Sequence, residues 1–357
     1  MLRWFFASWT ASRRASPAPA TAQTASAATP PRAPMVPLCN PRELAYAFNG
    51  LLLGVHPEEV DGGEAPTLTA VERRVQAEVQ TLLARGLSAA DVPRLPASVP
   101  QLLESLEQQR HAREIASLIN RDPALAAELV HLANSPVFRR SREPVRTVEA
   151  AFLYVGEDGI RALLVACAMR PAFAIKPVYF RLFGRLLWQH ALDCAHACQV
   201  FGRRTVGDPA VAFFTGLIHD LGKLVVFQRT LAVFCAEAPV EPLRPVVFQH
   251  LIEQFAARLT VEICGRWNIP EEVSDAIAQQ SDRPAADMSA LARALFIGDA
   301  VAETHMLLTE RAVRRSRLME HLRSHGIPWL RLYEAFPEHR EGRDGLETTS
   351  GQLQWKP

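Results

Sequence analysis

Long apolar runs are missing from this sequence of 357 residues. None reaches the roughly eighteen consecutive apolar residues that a membrane-spanning helix requires, so no membrane partner is expected and the chain reads as soluble and cytoplasmic. An excess of either charge is missing too: Lys and Arg number 39 against 38 Asp and Glu, a formal net charge of +1. That balance gives a nucleic acid or an anionic lipid surface no electrostatic handle, and no nucleic-acid partner is expected. The six cysteines, Cys39, Cys167, Cys194, Cys198, Cys235 and Cys264, include no CxxC pair and no secreted-scaffold spacing. Reduced thiols in a cytosol fit that pattern better than a disulfide framework. Alternating β-branched runs bounded by turns do not occur, which removes the main strand signal and leaves an all-α fold. A phosphate-cradling glycine-rich loop is absent, against an NTPase or kinase, and so is a serine nucleophile elbow. There is no internal repeat and no receiver, kinase or cyclase segment, so an input signal would come from another chain.

What is present begins with a tail. Residues 1–37 contain no Asp or Glu and are rich in Ala, Pro, Ser, Thr and Arg. Such a stretch buries too little apolar surface to offset its ordering entropy, so a disordered low-complexity tail is expected. The composition also resembles an organelle transit peptide, and Trp4, Phe5, Phe6 and Trp9 offer a weak contact patch, but the pattern of a secretory signal is lacking. From about Cys39 the apolar spacing turns helical. Leu44, Phe48, Leu51 and Leu52 mark one helix over 43–53, closed by Gly54 and Pro57. Thr69 followed by Glu72 is a capping box that opens another, carried to Gly86 by Val71, Val75, Val79, Leu82 and Leu83. Residues 38–93 read as a helical extension. The main domain is placed at 94–285, in an N-terminal lobe (94–178) and a second lobe (179–285), followed by C-terminal helices (286–336) and a flexible tail (337–357). Helices are expected over 100–109, 113–120, 123–134, 148–155, 158–169, 180–201, 209–231, 247–267, 271–280 and 290–308. Asp122 before Pro123 is a strong helix start, and Gly156 and Gly222 stand where turns or helix ends are expected.

Three stretches carry a resemblance. Leu95 and Pro96 precede Val99-Pro100-Gln101-Leu102-Leu103. A run from Ile115 through Arg121-Asp122-Pro123-Ala124-Leu125 continues into His131-Leu132-Ala133-Asn134-Ser135. Pro144-Val145-Arg146-Thr147-Val148-Glu149-Ala150-Ala151 is followed by Val155-Gly156. Several separated motifs in this order, over roughly residues 94–285, resemble the HDOD family, relatives of the HD and HD-GYP metal-dependent phosphohydrolases. The resemblance implies an all-helical fold and a role in bacterial signal transduction without established catalysis. Read physically, Leu125, Leu129 and Leu132 form a core stripe, and Asn134-Ser135 before Pro136 ends a helix. Arg121, Asp122 and Asn134 are either a polar ligand site or caps and surface turns.

In the second lobe, Phe214 to Lys223 matches the HD signature, with His219 and Asp220 side by side. An imidazole and a carboxylate in that position can share one borderline or hard divalent ion. His190 upstream and Asp299 downstream complete the order H…HD…D that the resemblance associates with single-metal phosphohydrolases. Such a site would hold one Mn, Fe, Co or Mg ion, with Lys223 as the candidate catalytic residue that steadies a phosphate. The alternative makes Asp220 a helix cap, His219 a donor to a backbone carbonyl, His190 a packed core histidine and Asp299 a buried ion-pair partner. Residues 251–280 contain no histidine, and the segment Trp267-Asn268-Ile269-Pro270-Glu271-Glu272-Val273 runs into Gln279-Gln280. Neutral amides are poor substitutes for imidazole ligands, and the GYP element is missing, which argues against a polynuclear site and against cyclic dinucleotide hydrolysis.

Cys194 and Cys198 share a helical face with His190, as soft ligands or as small packing residues. His196 is expected to be exposed. Arg311, Arg314, Arg315 and Arg317 read as a solvated basic helix face. His250, His305, His321, His325 and His339 show no mutual ligand spacing. The expected function is a regulatory output module that binds a signalling protein or a small ligand. The runner-up is a mononuclear metal-dependent phosphohydrolase acting on a nucleotide or phosphate ester, and a third reading uses residues 38–93 as an adaptor for oligomerisation.

Overall fold

A computed structural model describes residues 42–54, 66–88, 90–92, 116, 119–120, 123–135, 137–139, 143–173, 182–206, 209–237, 244–267, 269–282 and 287–340. The expected tail over 1–37, Cys39, Arg121, Asp122, the helix at 100–109, most of that at 113–120 and residues 341–357 lie outside the described residues. Within them the chain is helical, and no strand occurs among the described residues.

The helices begin and end where local chemistry allows. Helix α1 (Arg42–Leu53) is followed by α2 (Ala70–Arg85), whose capping box forms as expected. Thr69 Oγ1 accepts from the Glu72 amide at 3.3 Å, and the Thr69 amide donates to Glu72 Oε2 at 2.8 Å. Arg244 adds a bond from Nε to Glu72 Oε1 at 2.9 Å, tying this start to a distant part of the chain. Helix α3 (Pro123–Ala133) precedes α4 (Val148–Met169). The latter is broken at Gly156 (φ 76°, ψ 175°), a left-handed φ that suits glycine, so the two helices expected at 148–155 and 158–169 meet at a kink. Helix α5 spans Phe183–Gly202, and the segment expected as one helix over 209–231 is two, α6 (Pro209–Ile218) and α7 (Leu221–Glu237). The break falls on His219 and Asp220, and apolar residues on both sides conceal it in the sequence. Gly222, expected at a turn or helix end, lies in the first turn of α7 instead. A Cβ there would stand 1.8 Å from the Ala256 carbonyl oxygen, so the glycine lets α7 lie against α8 (Pro245–Arg266). Helices α9 (Glu271–Asp282), α10 (Ala290–Thr309), α11 (Arg315–Ser324) and α12 (Leu330–Ala335) follow, with a 3-10 turn at Pro337–Arg340.

Helix α5 is central and packs most extensively against α6 and α10; α7 packs on α8, α3 on α4, and α4 on α6. The segment read as an extension is built into this assembly: α1 packs on α5, α8 and α10, and α2 on α7 and α8, with Phe48 and Leu52 fully buried. Phe183 stacks on Phe227 with centroids 4.3 Å apart, and Phe248 meets both edge-on, fixing α5, α7 and α8 around one aromatic nucleus. A smaller apolar cluster of Ala197, Val301, Leu322, Ile327, Leu332 and Phe336 fastens the last helices to α5 and α10. Among the described residues one stretch, Pro209–Glu237, is long and apolar enough to cross a membrane; 89% of its window is buried inside the fold.

Candidate metal centre

The turn that splits α6 from α7 delivers the first two functional side chains. His219 Nδ1 lies 2.7 Å from the Gly216 carbonyl oxygen. A carbonyl only accepts, so Nδ1 carries the proton and donates it, leaving the Nε2 lone pair facing inward. His190 comes from the middle of α5 and is fully buried, and Asp299 comes from α10. Gly298 permits the approach of these two helices, because a Cβ there would meet Cys198 Sγ at 2.5 Å and the Cys198 amide nitrogen at 3.0 Å. Cys194 and Cys198 are both buried with their sulfurs 3.8 Å apart, and they pack in the body of α5.

Four side chains named from the sequence come together here. His190 Nε2, His219 Nε2 and Asp299 Oδ1 form a triangle with sides of 3.4, 3.0 and 3.3 Å. Asp220 Oδ2 lies 3.4 Å from each of the two ring nitrogens. Bonds of about 2.0–2.2 Å at angles between octahedral and tetrahedral would set neighbouring ligand atoms about 2.8–3.6 Å apart, so the triangle has the size that one shared ion requires. Asp299 Oδ1 is a buried oxygen facing the two ring nitrogens, which suits a cation between them, and Asp220 Oδ2 is paired with Lys223 Nζ. Asp299 is the open edge of the site, its side chain 36% exposed.

Without an ion, protons and Lys223 balance the two carboxylates. Burial opposes protonation of His219, but Asp220 and Asp299 beside it outweigh burial and hold its pKa up at about 10. Burial pushes His190 down, against the pull of Asp299 and Asp220. An ion would therefore displace a proton from His219, and uptake should be stronger at higher pH. Lys223 Nζ sits 2.7 Å from Asp220 Oδ2 and 5.0 Å above the Phe48 ring. Burial works against its charge, and Asp220, Asp299 and Glu303 preserve it. Phe48 also packs on His190, at a centroid distance of 4.4 Å, so α1 closes one side of the site.

Two participants went unforeseen. Glu303 stands one helical turn beyond Asp299, and burial together with the Asp299 charge pushes its carboxyl well above the usual range. Its i, i+4 spacing from Asp299 was the available signal. Phe48 lies too far along the chain for spacing to reveal it. Other expectations need correction. His196 is half-buried, with Nε2 3.1 Å from the Ala335 carbonyl oxygen, because α12 covers that face of α5. His305 and His339 do meet, Nδ1 to Nε2 at 2.8 Å, since the 3-10 turn folds back on α10. Asn134 belongs to the backbone: its amide oxygen accepts from Val145 N at 2.7 Å, and its Nδ2 donates to the carbonyls of Val145 and Val130 at 2.7 and 2.8 Å. The Gln279 and Gln280 amides join α9 to the start of α10: Gln279 Oε1 accepts from Ser289 N and Gln280 Nε2 donates to the Ala292 carbonyl. Arg315 stacks over Trp329 and donates to the Tyr333 hydroxyl, while the rest of its basic cluster is solvated.

The family model for the HDOD domain matches residues 92–283. The chain belongs to the HDOD family. Solved structures with this fold include a candidate metal-dependent phosphohydrolase of Shewanella amazonensis, 16% identical, covering 76% of this chain and 98% of that one, at a TM-score of 0.53. A candidate phosphohydrolase of the same organism is 22% identical, covers 74% of this chain and 94% of that one, and has a TM-score of 0.50. An HDOD domain protein of Geobacter sulfurreducens with unknown function is 22% identical over 77% of this chain and 91% of that one, at 0.48. At these identities the likeness concerns the fold. No curated protein gives a match.

Proposed function

We propose that this HDOD protein is a signal-transduction regulator that holds one divalent ion at His190, His219, Asp220 and Asp299 and presents the helices so fixed to a partner protein or small ligand, without turning over a substrate. The observation that carries the proposal is the convergence of His190 Nε2, His219 Nε2 and Asp299 Oδ1, brought by α5, the α6–α7 turn and α10, at separations of 3.0–3.4 Å, with Asp220 Oδ2 3.4 Å from each ring nitrogen. Two imidazoles with two carboxylates suit Mn, Fe, Co or Mg.

Two features support binding over turnover. The Lys223 ammonium is engaged by Asp220 rather than held toward open space. His190 Nδ1 is buried with no hydrogen-bond partner among the described residues, whereas ligand histidines in tuned metal sites usually donate from their second nitrogen to an orienting oxygen. The partial exposure of Asp299 favours a second reading, a mononuclear phosphohydrolase. A bound ion would supply Lewis acidity and an acidified water there, and this chain's own contribution would be the charge of Lys223.

Chelator-treated full-length protein titrated with Mn²⁺ tests both. One equivalent should bind and raise the melting temperature, and His219→Ala should lose that equivalent. At a free ion concentration of 100 times Kd the stabilisation should be about 2.7 kcal/mol. Equal uptake by wild type and His219→Ala would remove the metal site. Ion-dependent hydrolysis of p-nitrophenyl phosphate or its bis ester, abolished in Asp220→Asn, would replace the regulator with the hydrolase.

A further inference from the structure

A second group of ligand-bearing side chains lies apart from the HD-type residues, on the same pair of helices. His305 follows Asp299 by six residues on α10, about 9 Å along the axis, and Asp193 follows His190 by three on α5. The 3-10 turn Pro337–Arg340 brings Glu338 and His339 onto His305. His305 Nδ1 is 2.8 Å from His339 Nε2 and 3.7 Å from Glu338 Oε1. The three ligand atoms all lie within 4.8 Å of one another.

The His305 ring is held for this. Phe336 stacks on it with centroids 4.0 Å apart and planes 12° from parallel. Behind it, Asp193 is buried in α5; its Oδ1 accepts from Gln189 at 3.0 Å, while its Oδ2 has no hydrogen-bond partner among the described residues and faces His305 Nε2 across 4.0 Å. A carboxylate behind the far nitrogen of an imidazole is the arrangement that orients a metal-bound histidine. Two imidazole nitrogens on one tetrahedral zinc, at bonds of about 2.0–2.1 Å, stand about 3.3–3.4 Å apart, so an ion between the rings would move His305 away from His339, toward Asp193 Oδ2. Glu338 is 53% exposed, leaving an entry for the ion from solvent.

We infer that His305, Glu338 and His339 form a second cation site, for a zinc-like ion, with Asp193 as the residue that positions His305. Two imidazoles and one glutamate are a known Zn²⁺ ligand set, and borderline first-row ions share the preference. Occupation would clasp the chain at 337–340 to α10, the helix that also carries Asp299. It requires nothing of the His219 site.

The test is Zn²⁺ binding to chelator-treated full-length protein, comparing wild type with His339→Gln and Glu338→Gln, both close to the surface. Wild type should take up one equivalent more than His339→Gln, and Glu338→Gln should bind that equivalent at least tenfold more weakly. In Co²⁺-loaded protein a visible d–d band should be present in His219→Ala and absent from the His219→Ala/His339→Gln double variant. Asp193→Asn should keep the stoichiometry and weaken the site by 10–100-fold. Identical Zn²⁺ uptake by wild type, His339→Gln and Glu338→Gln would overturn the assignment. Loss of an equivalent in His219→Ala alone would leave the first site standing and remove the second.

Discussion

Asn134 and Asp299 show how differently the two halves of the molecule use buried polar groups. In the N-terminal lobe the Asn134 amide is saturated: it bridges the end of α3 to Val145 with bonds of 2.7–2.8 Å. A motif residue spent in this way holds backbone and has little capacity left for a ligand. Around the turn between α6 and α7, Asp220 and Asp299 set two buried carboxylate oxygens beside two inward-facing ring nitrogens, and Lys223 pairs with Asp220 at 2.7 Å. Two buried carboxylates held this close are costly unless positive charge balances them, a part that Lys223 and a protonated imidazole play here and that a bound cation would also play. The contrast is between a side chain that spends its polar atoms on the backbone and a cluster whose polar atoms face one another.

The largest effect that sharpens this comparison should come from Asp220→Asn. It removes a charged ligand, and Mn²⁺ affinity should fall at least 100-fold, or about 2.7 kcal/mol, read as loss of the ion-induced rise in melting temperature. Asn134→Ala should do the reverse. Losing its three bonds should cost about 2 kcal/mol in urea unfolding while Mn²⁺ affinity stays unchanged. A shift in ion affinity in Asn134→Ala would break the division between lobes. The smallest effect concerns acid. Burial opposes ionisation of Asp91, but the Ser88 hydroxyl and amide, Arg85 and Arg229 outweigh it and hold its pKa down at about 2. A carboxylate whose folded pKa is depressed stabilises the fold above its unfolded value near 3.8, and that contribution is lost as pH falls from there through about 2. Asp91→Asn should therefore be less stable than wild type at pH 6, and the gap should narrow steadily between pH 4 and pH 2. An unchanged gap over that range would contradict the assignment.

Much of the helical order was legible because local signals carry it: the Thr69–Glu72 capping box, the glycine at 156 and the heptad-like leucines all act within a few residues. His190, His219, Asp220 and Asp299 could be named together because the resemblance supplied their order; spacing alone would not join residues so far apart. The break at His219–Asp220 was hidden because α6 and most of the first two turns of α7 are apolar on either side of it, so the pattern runs on across the turn. Phe48 over the site and the meeting of His305 with His339 depend on how α1 and the last turn pack, and sequence periodicity contains no term for that. Glu303 was within reach of helical spacing, but its burial was not, and burial is what perturbs it.

The most direct measurement is a crystal structure of the full chain grown with Mn²⁺, with anomalous scattering used to locate the ion. A single peak is predicted among His190 Nε2, His219 Nε2, Asp220 and Asp299, at distances of about 2.0–2.3 Å from the ligand atoms. Empty space at that point in saturating Mn²⁺, with the two carboxylates still 3.0–3.4 Å from the ring nitrogens, would contradict the account.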